Sequence, residues 1–216
     1  MYARETSRET RTDVLIAAMR EIKLCAMVST TRDGLHATHL PFIIEQAPDS
    51  TVIINGHMSR NNPHWRAVAE PAETVALFQG PHSYISPGWY QTKAENGKVV
   101  PTWGYIAVHA HGRLEIIRDT EWLHAHVNAL TDLHEAGRVE PWAVSDAPDD
   151  YIEVMLRGII GVRLTVERLE GSWKLNQHRS QSDQRGAIAG LTGEPADASQ
   201  QLGAAMAATL MDEEPL

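Results

Sequence analysis

"LCAMVSTTRDGLHATHLPFII", residues 24–44, decides how the rest of the chain is read. Leu24–Thr31 is an apolar run that reads as a strand. Asp33-Gly34 is a hairpin signal, because a tight reversed turn needs positive φ and glycine supplies it at no steric cost. Residues 35–44, "LHATHLPFII", then return as a second strand. The unit predicted is an antiparallel hairpin rather than a strand feeding a crossover helix.

Working outward, "STVIINGHM" (50–58) is a third strand after a proline-containing turn. Upstream, "TDVLIAAMREI" (12–22) is a helix capped by Thr12 or Asp13, with Val14, Leu15, Ala18, Met19 and Ile22 at helical spacing. Asn62-Pro63 starts a short helix, "PHWRAVAE" (63–70). "ETVALFQG" (73–80) and the long "TWGYIAVHAHGRLEII" (102–117) are further strands. Asp119 or Thr120 caps a helix that Gly137 stops, and Asp146 to Pro148 open another. "GVRLTVERLEG" and "SWKLNQH" are expected to form a final hairpin around Gly171. Two short helices, "DQRGAIAGL" (183–191) and "ADASQQLGAAMAATL" (196–210), follow, and the tail "MDEEPL" (211–216) is expected to fray. Successive strands with helices in the gaps predict a mainly β, α+β fold: a small antiparallel barrel with flanking helices. The expected division is a barrel domain over 1–180 and a helical extension over 181–216.

The totals exclude several classes. Of 216 residues, 43% are hydrophobic and 22% charged, as in an ordinary globular protein. No apolar run reaches the length of a membrane span. "MYARETSRETRTD" is too polar for a secretory signal. A single cysteine, Cys25, permits neither an intrachain disulfide nor a thiolate zinc cluster. The expected compartment is the cytoplasm. A formal charge of −9 opposes strong binding to a phosphate backbone, which draws on many Lys and Arg contacts.

The chemistry concentrates in two stretches. In "NGHMSRNNPHW" (55–65) a strand gives way to a helix start, where free N–H groups and the dipole favour an anion. Ser59 adds a hydroxyl and Arg60 a forked cation, which suits a terminal phosphate. The same residues also read as a capped helix with an exposed arginine. In "GPHSYISPGWYQTKAENGKVVPTWGYIAVHAHG" (80–112), Tyr84, Trp89, Tyr90, Trp103 and Tyr105 flank a loop carrying Lys93 and Lys98. Such aromatics form either core or a wall for a planar ligand. Eleven histidines are present; His109 and His111 share one face of a strand, and His124 and His126 do not share a helix face. No HExxH, GxSxG or strand-borne GxGxxG occurs, so a zinc hydrolase, a serine hydrolase and a Rossmann site are not indicated. Metal ligands are assigned to none of these residues.

Taken together, "THLPF" (38–42), "GHMSRNNPHW" (56–65), "GPHSYISPGWY" (80–90), "VPTWGYIAVHAHG" (100–112), "PWAVSDAP" (141–148) and "WKLNQHRSQSDQRGAIAGL" (173–191) resemble the PaiB family of FMN-binding negative transcriptional regulators. The resemblance runs from about Asp13 to Leu191. It is similar in turn to the FMN-binding split barrels, the fold of pyridoxamine-phosphate oxidases. It implies a homodimer with FMN, a planar anionic cofactor, at the subunit interface. Ser59, Arg60 and Asn61 would receive the phosphate, Thr38 and His39 would lie near the isoalloxazine ring, Trp103, Lys174, Gln177 and Arg179 would close the pocket, and Gly56 and His57 would also bind the cofactor. Two motifs depart from the family pattern: Gly104 replaces an asparagine, and "KLNQHR" replaces "KLSQNR", bringing Asn176 and His178.

Three functions follow from the resemblance. One is a flavin-binding repressor, for which DNA is an implied partner that the charge does not support. Another is a flavin-dependent oxidoreductase with a pocket toward His39, Tyr105 and His109. The last is a haem protein, with His57, His64 and His178 as axial candidates. No catalytic residue is assigned, and whether the chain is an enzyme stays open.

Overall fold

The computed structural model describes residues 1–212. In chain order the elements are β1 (Arg8–Glu9), α1 (Thr12–Ile22), β2 (Leu24–Thr31), β3 (Gly34–Gln46), β4 (Val52–Ser59), α2 (His64–Ala67) and β5 (Ala72–Ile85). They continue with α3 (Gln91–Asn96), β6 (Thr102–Ile117), α4 (Thr120–Glu135), α5 (Asp149–Arg157), β7 (Ile159–Lys174), α6 (Gln181–Thr192) and α7 (Asp197–Asp212). The strands form one seven-stranded sheet, ordered β1-β7-β4-β3-β2-β5-β6, and β6 also pairs with β7. That extra pairing returns the sheet to β7, so six strands make a closed circuit and lose their free edges. The β2–β3, β2–β5, β3–β4, β4–β7 and β1–β7 ladders are all antiparallel.

The hairpin forms as its turn residues require. Gly34 sits at φ +108, and the Thr31 hydroxyl donates to its carbonyl at 2.8 Å. From there β2 and β3 pair without a slip from Thr31↔Gly34 to Leu24↔Pro41. Alternation buries Cys25, Met27 and Ser29 on β2 and Leu40, Phe42 and Ile44 on β3.

The chain forms two compact units. The strand-rich unit comprises residues 16–78 and 109–169; the helical unit comprises 1–15, 79–108 and 170–216. In the strand-rich unit β6 approaches β7 so closely that a Cβ on Gly112 would lie 2.0 Å from the Thr165 carbonyl oxygen. No side chain larger than hydrogen fits there. The helical unit packs α6 and α7 on Ile85, Tyr90, Ile106 and Leu175 through Ala187, Leu191, Leu202 and Met206. Leu175, Leu191 and Leu202 are at most 1% exposed, and burying each contributes about 2 kcal/mol.

Three sequence expectations are corrected. First, no hairpin breaks at Gly171, because β7 runs unbroken from Ile159 to Lys174. Gly171 pairs with Glu9 of β1, and a Cβ there would lie 2.3 Å from Leu15 Cδ2. The glycine serves close approach, not a turn. Second, the helix expected over 63–70 is only His64–Ala67, and Val68 is already extended. Glu70 precedes Pro71, a position that disfavours helical backbone. Third, the loop between β5 and β6 carries its own helix, α3, ended by Gly97 at φ +68. In the tail, Met211 and Asp212 belong to α7, and residues 213–216 lie outside the described residues.

Candidate functional site

In the strand-rich unit the expected phosphate residues occupy the turn between β4 and α2. The Asn61 N–H donates to Ser59 Oγ at 3.2 Å, and Asn62 Oδ1 accepts from the His64 N–H at 3.0 Å. Asn62 is thus the working cap of α2. The Thr38 hydroxyl meets Asn62 Nδ2 at 3.2 Å and His64 Nδ1 at 2.9 Å, which ties β3 to the turn. The Arg60 carbonyl accepts from Trp65 Nε1 at 2.9 Å and Arg66 Nη2 at 3.0 Å. The Arg66 guanidinium lies 4.6 Å over the Trp65 ring, and that of Arg118 lies 5.7 Å from it. The turn is therefore rigid and rich in guanidinium. Arg60 itself donates Nε to the Arg157 carbonyl at 2.8 Å and Nη2 to the Ile159 carbonyl at 3.2 Å. It caps the end of α5, where unpaired carbonyls favour a cation.

The remaining expected residues of this unit divide. Thr38 is half-buried with its hydroxyl engaged, whereas His39 is exposed on the other face of β3. Gly56 faces Phe42 across the ladder, and a Cβ on it would lie 2.7 Å from that ring. His57 meets His126 edge-on at 5.3 Å, and His126 stacks parallel on Trp122 at 5.0 Å. Neither His57 Nδ1 nor His126 Nε2 has a hydrogen-bond partner among the described residues. Burial, reinforced by the His57 charge, pushes His126 down to about 4. Burial, and then the charge of His36, does the same to His64, which is 1% exposed. As the spacing implied, His124 is exposed while His126 is buried.

In the helical unit Lys174 and Arg179 line a cavity of about 330 Å³. Its walls come from residues 2–7, the stretch 100–105 and residues 172–179. Arg4, Lys174, Arg179 and His178 line it, and among the described residues no carboxylate does. Lys174 Nζ lies 5.7 Å from the Tyr105 ring, and the Arg179 guanidinium lies 4.8 Å over Tyr90. Partial burial and the charges of Arg179, Arg4 and Lys174 hold His178 below its ordinary range. Two donors here have no partner among the described residues: Arg179 Nε, and the hydroxyl of Ser172, a residue that is 1% exposed. Buried polar atoms without partners are rare and call for an explanation.

Gln177 folds back on its own strand end, accepting from the Leu175 N–H at 2.9 Å and donating to the Trp173 carbonyl. The aromatic group of residues 80–105 splits in two. Tyr90 is 3% exposed, and Trp89 packs against the same core. Trp103 and Tyr84 stay half-exposed, with His82 stacked on Trp103 at 6.0 Å and accepting its indole N–H at 3.3 Å. Gly104 and Asn176, two of the residues that depart from the family pattern, have local reasons. A Cβ on Gly104 would lie 2.8 Å from both Ile85 and Leu202, so α7 fills the space that an asparagine would need. Asn176 has φ +64, a conformation asparagine tolerates, and donates Nδ2 to the Tyr90 hydroxyl at 2.9 Å.

Arg4 and Ser172 were not singled out from the sequence. Ser172 shares a strand face with Lys174, as the strand expected over 172–178 already implied. Arg4, in a polar leader segment, carried no periodic signal.

Residues 1–168 match the family described as "Putative FMN-binding domain". The Bacillus subtilis protease synthase and sporulation protein PAI 2 is 30% identical, over 94% of this chain and 94% of that protein. An uncharacterized protein of Emericella nidulans is 31% identical, over 93% of this chain and 94% of that one. Among solved structures, the FAD and heme binding protein from Mycobacterium smegmatis superposes with a TM-score of 0.55 at 16% identity, covering 84% of this chain and 80% of that chain. The flavocytochrome Anf3 from Azotobacter vinelandii gives 0.51 at 12% identity, covering 77% and 68%. These two structural likenesses speak to the fold.

Proposed function

The chain belongs to the FMN-binding PaiB family, and from that membership we propose that it is a split-barrel homodimer holding FMN at the subunit interface. The observation that supports this reading is the cross-linked turn after β4. There Thr38, Asn62 and His64 fix the backbone while Arg60 and Arg66 bring positive charge to it; Arg118, also near Trp65, is paired with Glu70 at 2.9 Å. A preorganised, cationic turn suits a phosphate because little ordering remains to be done on binding. Ser59, Arg60 and Asn61 hold the phosphate in this reading, with Gly56 and His57 on the adjoining strand. In the same reading Thr38 and His39 are the ring residues of the strand-rich unit, and Trp103, Lys174, Gln177 and Arg179 are the pocket residues of the helical unit. The orphaned Arg179 Nε fits such a group, being a buried donor without an acceptor.

When bound, FMN supplies reversible electron acceptance, and the protein's part is placement and charge. Lys174 and Arg179 offer fixed positive charge, and Trp103 offers an exposed indole face for stacking. The regulatory role fits an indirect route. With a net charge of −9, the protein acts on gene expression through a partner or a metabolite rather than by gripping DNA itself.

Titration with FMN and with riboflavin, followed by flavin fluorescence, tests the placement, and light scattering tests the dimer. FMN should bind at least about tenfold more tightly than riboflavin, the worth of one charge-assisted contact to phosphate. Arg60→Lys should narrow that ratio. Equal affinities for the two flavins would overturn the phosphate assignment, and a monomer at micromolar concentration the interface. A promoter-DNA shift at low salt would overturn the indirect route.

A further inference from the structure

We propose that the cavity of the helical unit is an oxyanion site, and that Arg4 and Ser172 bind a carboxylate or phosphate group there together with Lys174 and Arg179. The proposal shares Lys174 and Arg179 with the flavin reading, but its own ligands come from the N-terminal segment and from β7.

The argument begins with charge. Arg4, Lys174 and Arg179 converge on one space of about 330 Å³, which no carboxylate among the described residues lines. None of the three forms an ion pair among the described residues. Gathering like charges without a counter-charge is unfavourable unless a ligand supplies it. Hydrogen bonding points the same way. Ser172 is 1% exposed and lines the cavity, and neither its buried hydroxyl nor the buried Arg179 Nε has a partner among the described residues. A buried hydroxyl and a guanidinium N–H are the donors that an oxyanion accepts from.

The frame is built, not incidental. Ser172 is fixed by the β1–β7 ladder, where it pairs with Arg8. Asn176 holds the Tyr90 hydroxyl, and the Tyr90 ring lies under Arg179. Tyr105 gives an aromatic wall beside Lys174, and Val100 and Pro101 add apolar surface. A small organic acid or phosphate ester with an apolar body matches that lining better than a bare inorganic ion does.

Calorimetric titration of the full chain with inorganic phosphate and with benzoate is the test. Both should bind, and benzoate should bind more tightly. Arg4→Ala should weaken each by about tenfold and Ser172→Ala by several-fold. Arg32→Ala, which removes an equal charge from an exposed position far along the sequence, should change neither. Phosphate should also raise the titration midpoint of His178, read by proton NMR, since an anion offsets the cations that depress it. Anion binding that Arg4→Ala and Arg32→Ala weaken alike, or that neither changes, overturns the site. Saturating FMN separates the sources. Displacement of phosphate makes the oxyanion the cofactor's own, whereas simultaneous binding makes it that of a second small molecule. Phosphate binding that survives while FMN fails to bind would overturn the flavin placement alone.

Discussion

Replacing Asn176 with alanine should destabilise the protein by about 2–4 kcal/mol, the sum of two separable costs. Asn176 is 2% exposed and holds φ +64. Alanine lacks asparagine's tolerance of that region and adds about 1 kcal/mol of backbone strain. The substitution also strands the Tyr90 hydroxyl, now bonded to Asn176 Nδ2 at 2.9 Å on a residue only 3% exposed. An orphaned buried hydroxyl costs about 1–3 kcal/mol. For a chain of this length, 3 kcal/mol corresponds to a fall in Tm of about 6–12 °C. The assay is a double-mutant cycle in guanidinium chloride. In the wild-type background Tyr90→Phe should destabilise, because it strands Asn176 Nδ2. In the Asn176→Ala background it should recover stability, because it removes the stranded hydroxyl. If Tyr90→Phe has the same effect in both backgrounds, the bond does not couple the two residues and the reasoning fails. The result also bears on the cavity, since the Asn176 carbonyl accepts the Arg179 N–H at 2.9 Å and so helps set where that cation points.

Three further outcomes are expected. His64 and His126 sit near 4 in the folded chain against an ordinary 6.5. The unfolded chain therefore takes up protons first, and stability should fall as pH drops from about 6.5 to about 4, by up to about 3 kcal/mol for each histidine. His126→Gln should flatten that decline, and parallel curves for variant and wild type would refute it. Burial pushes the Cys25 thiol up to about 12, so native protein at pH 8 should resist a thiol-specific dye and react only on unfolding; prompt native labelling would contradict this. Gly112→Ala would place Cβ against the Thr165 carbonyl, where backbone must yield, and should cost about 3 kcal/mol or more in denaturant midpoint. An unchanged midpoint would mean that β6 and β7 do not close there.

Local chemistry made most of the fold legible. Asp33-Gly34 fixed the first hairpin and thereby its register, since side-chain alternation allows no slip of one residue. Asp119 capping the Trp122 N–H at 2.7 Å, and Gly137 at φ +87, set the limits of α4 as their residue types announced. Gly171 shows where such reading fails. A glycine in a strand pattern means either a turn or a close approach, and only the identity of its neighbours decides. Leu15 and Glu9 made that decision from more than 150 positions away in the chain, where no local window reaches.

The site was half-legible for a different reason. The strand expected over 172–178 already set Ser172 and Lys174 on one face, but only the fold shows that Arg4 and Arg179 line the same space. Arg60 shows the converse. Its residue type and its place at a helix start favoured a phosphate contact, yet Nε and one Nη are spent on the carbonyls of Arg157 and Ile159. An arginine has five donors, so an anion could still reach those that remain, but at a site whose geometry α5 has already fixed. Composition and spacing therefore identify which side chains can carry charge to a ligand. Which of those groups stays unspent is decided by distant backbone, and among the described residues the unspent donors that line the cavity belong to Arg179 and Ser172.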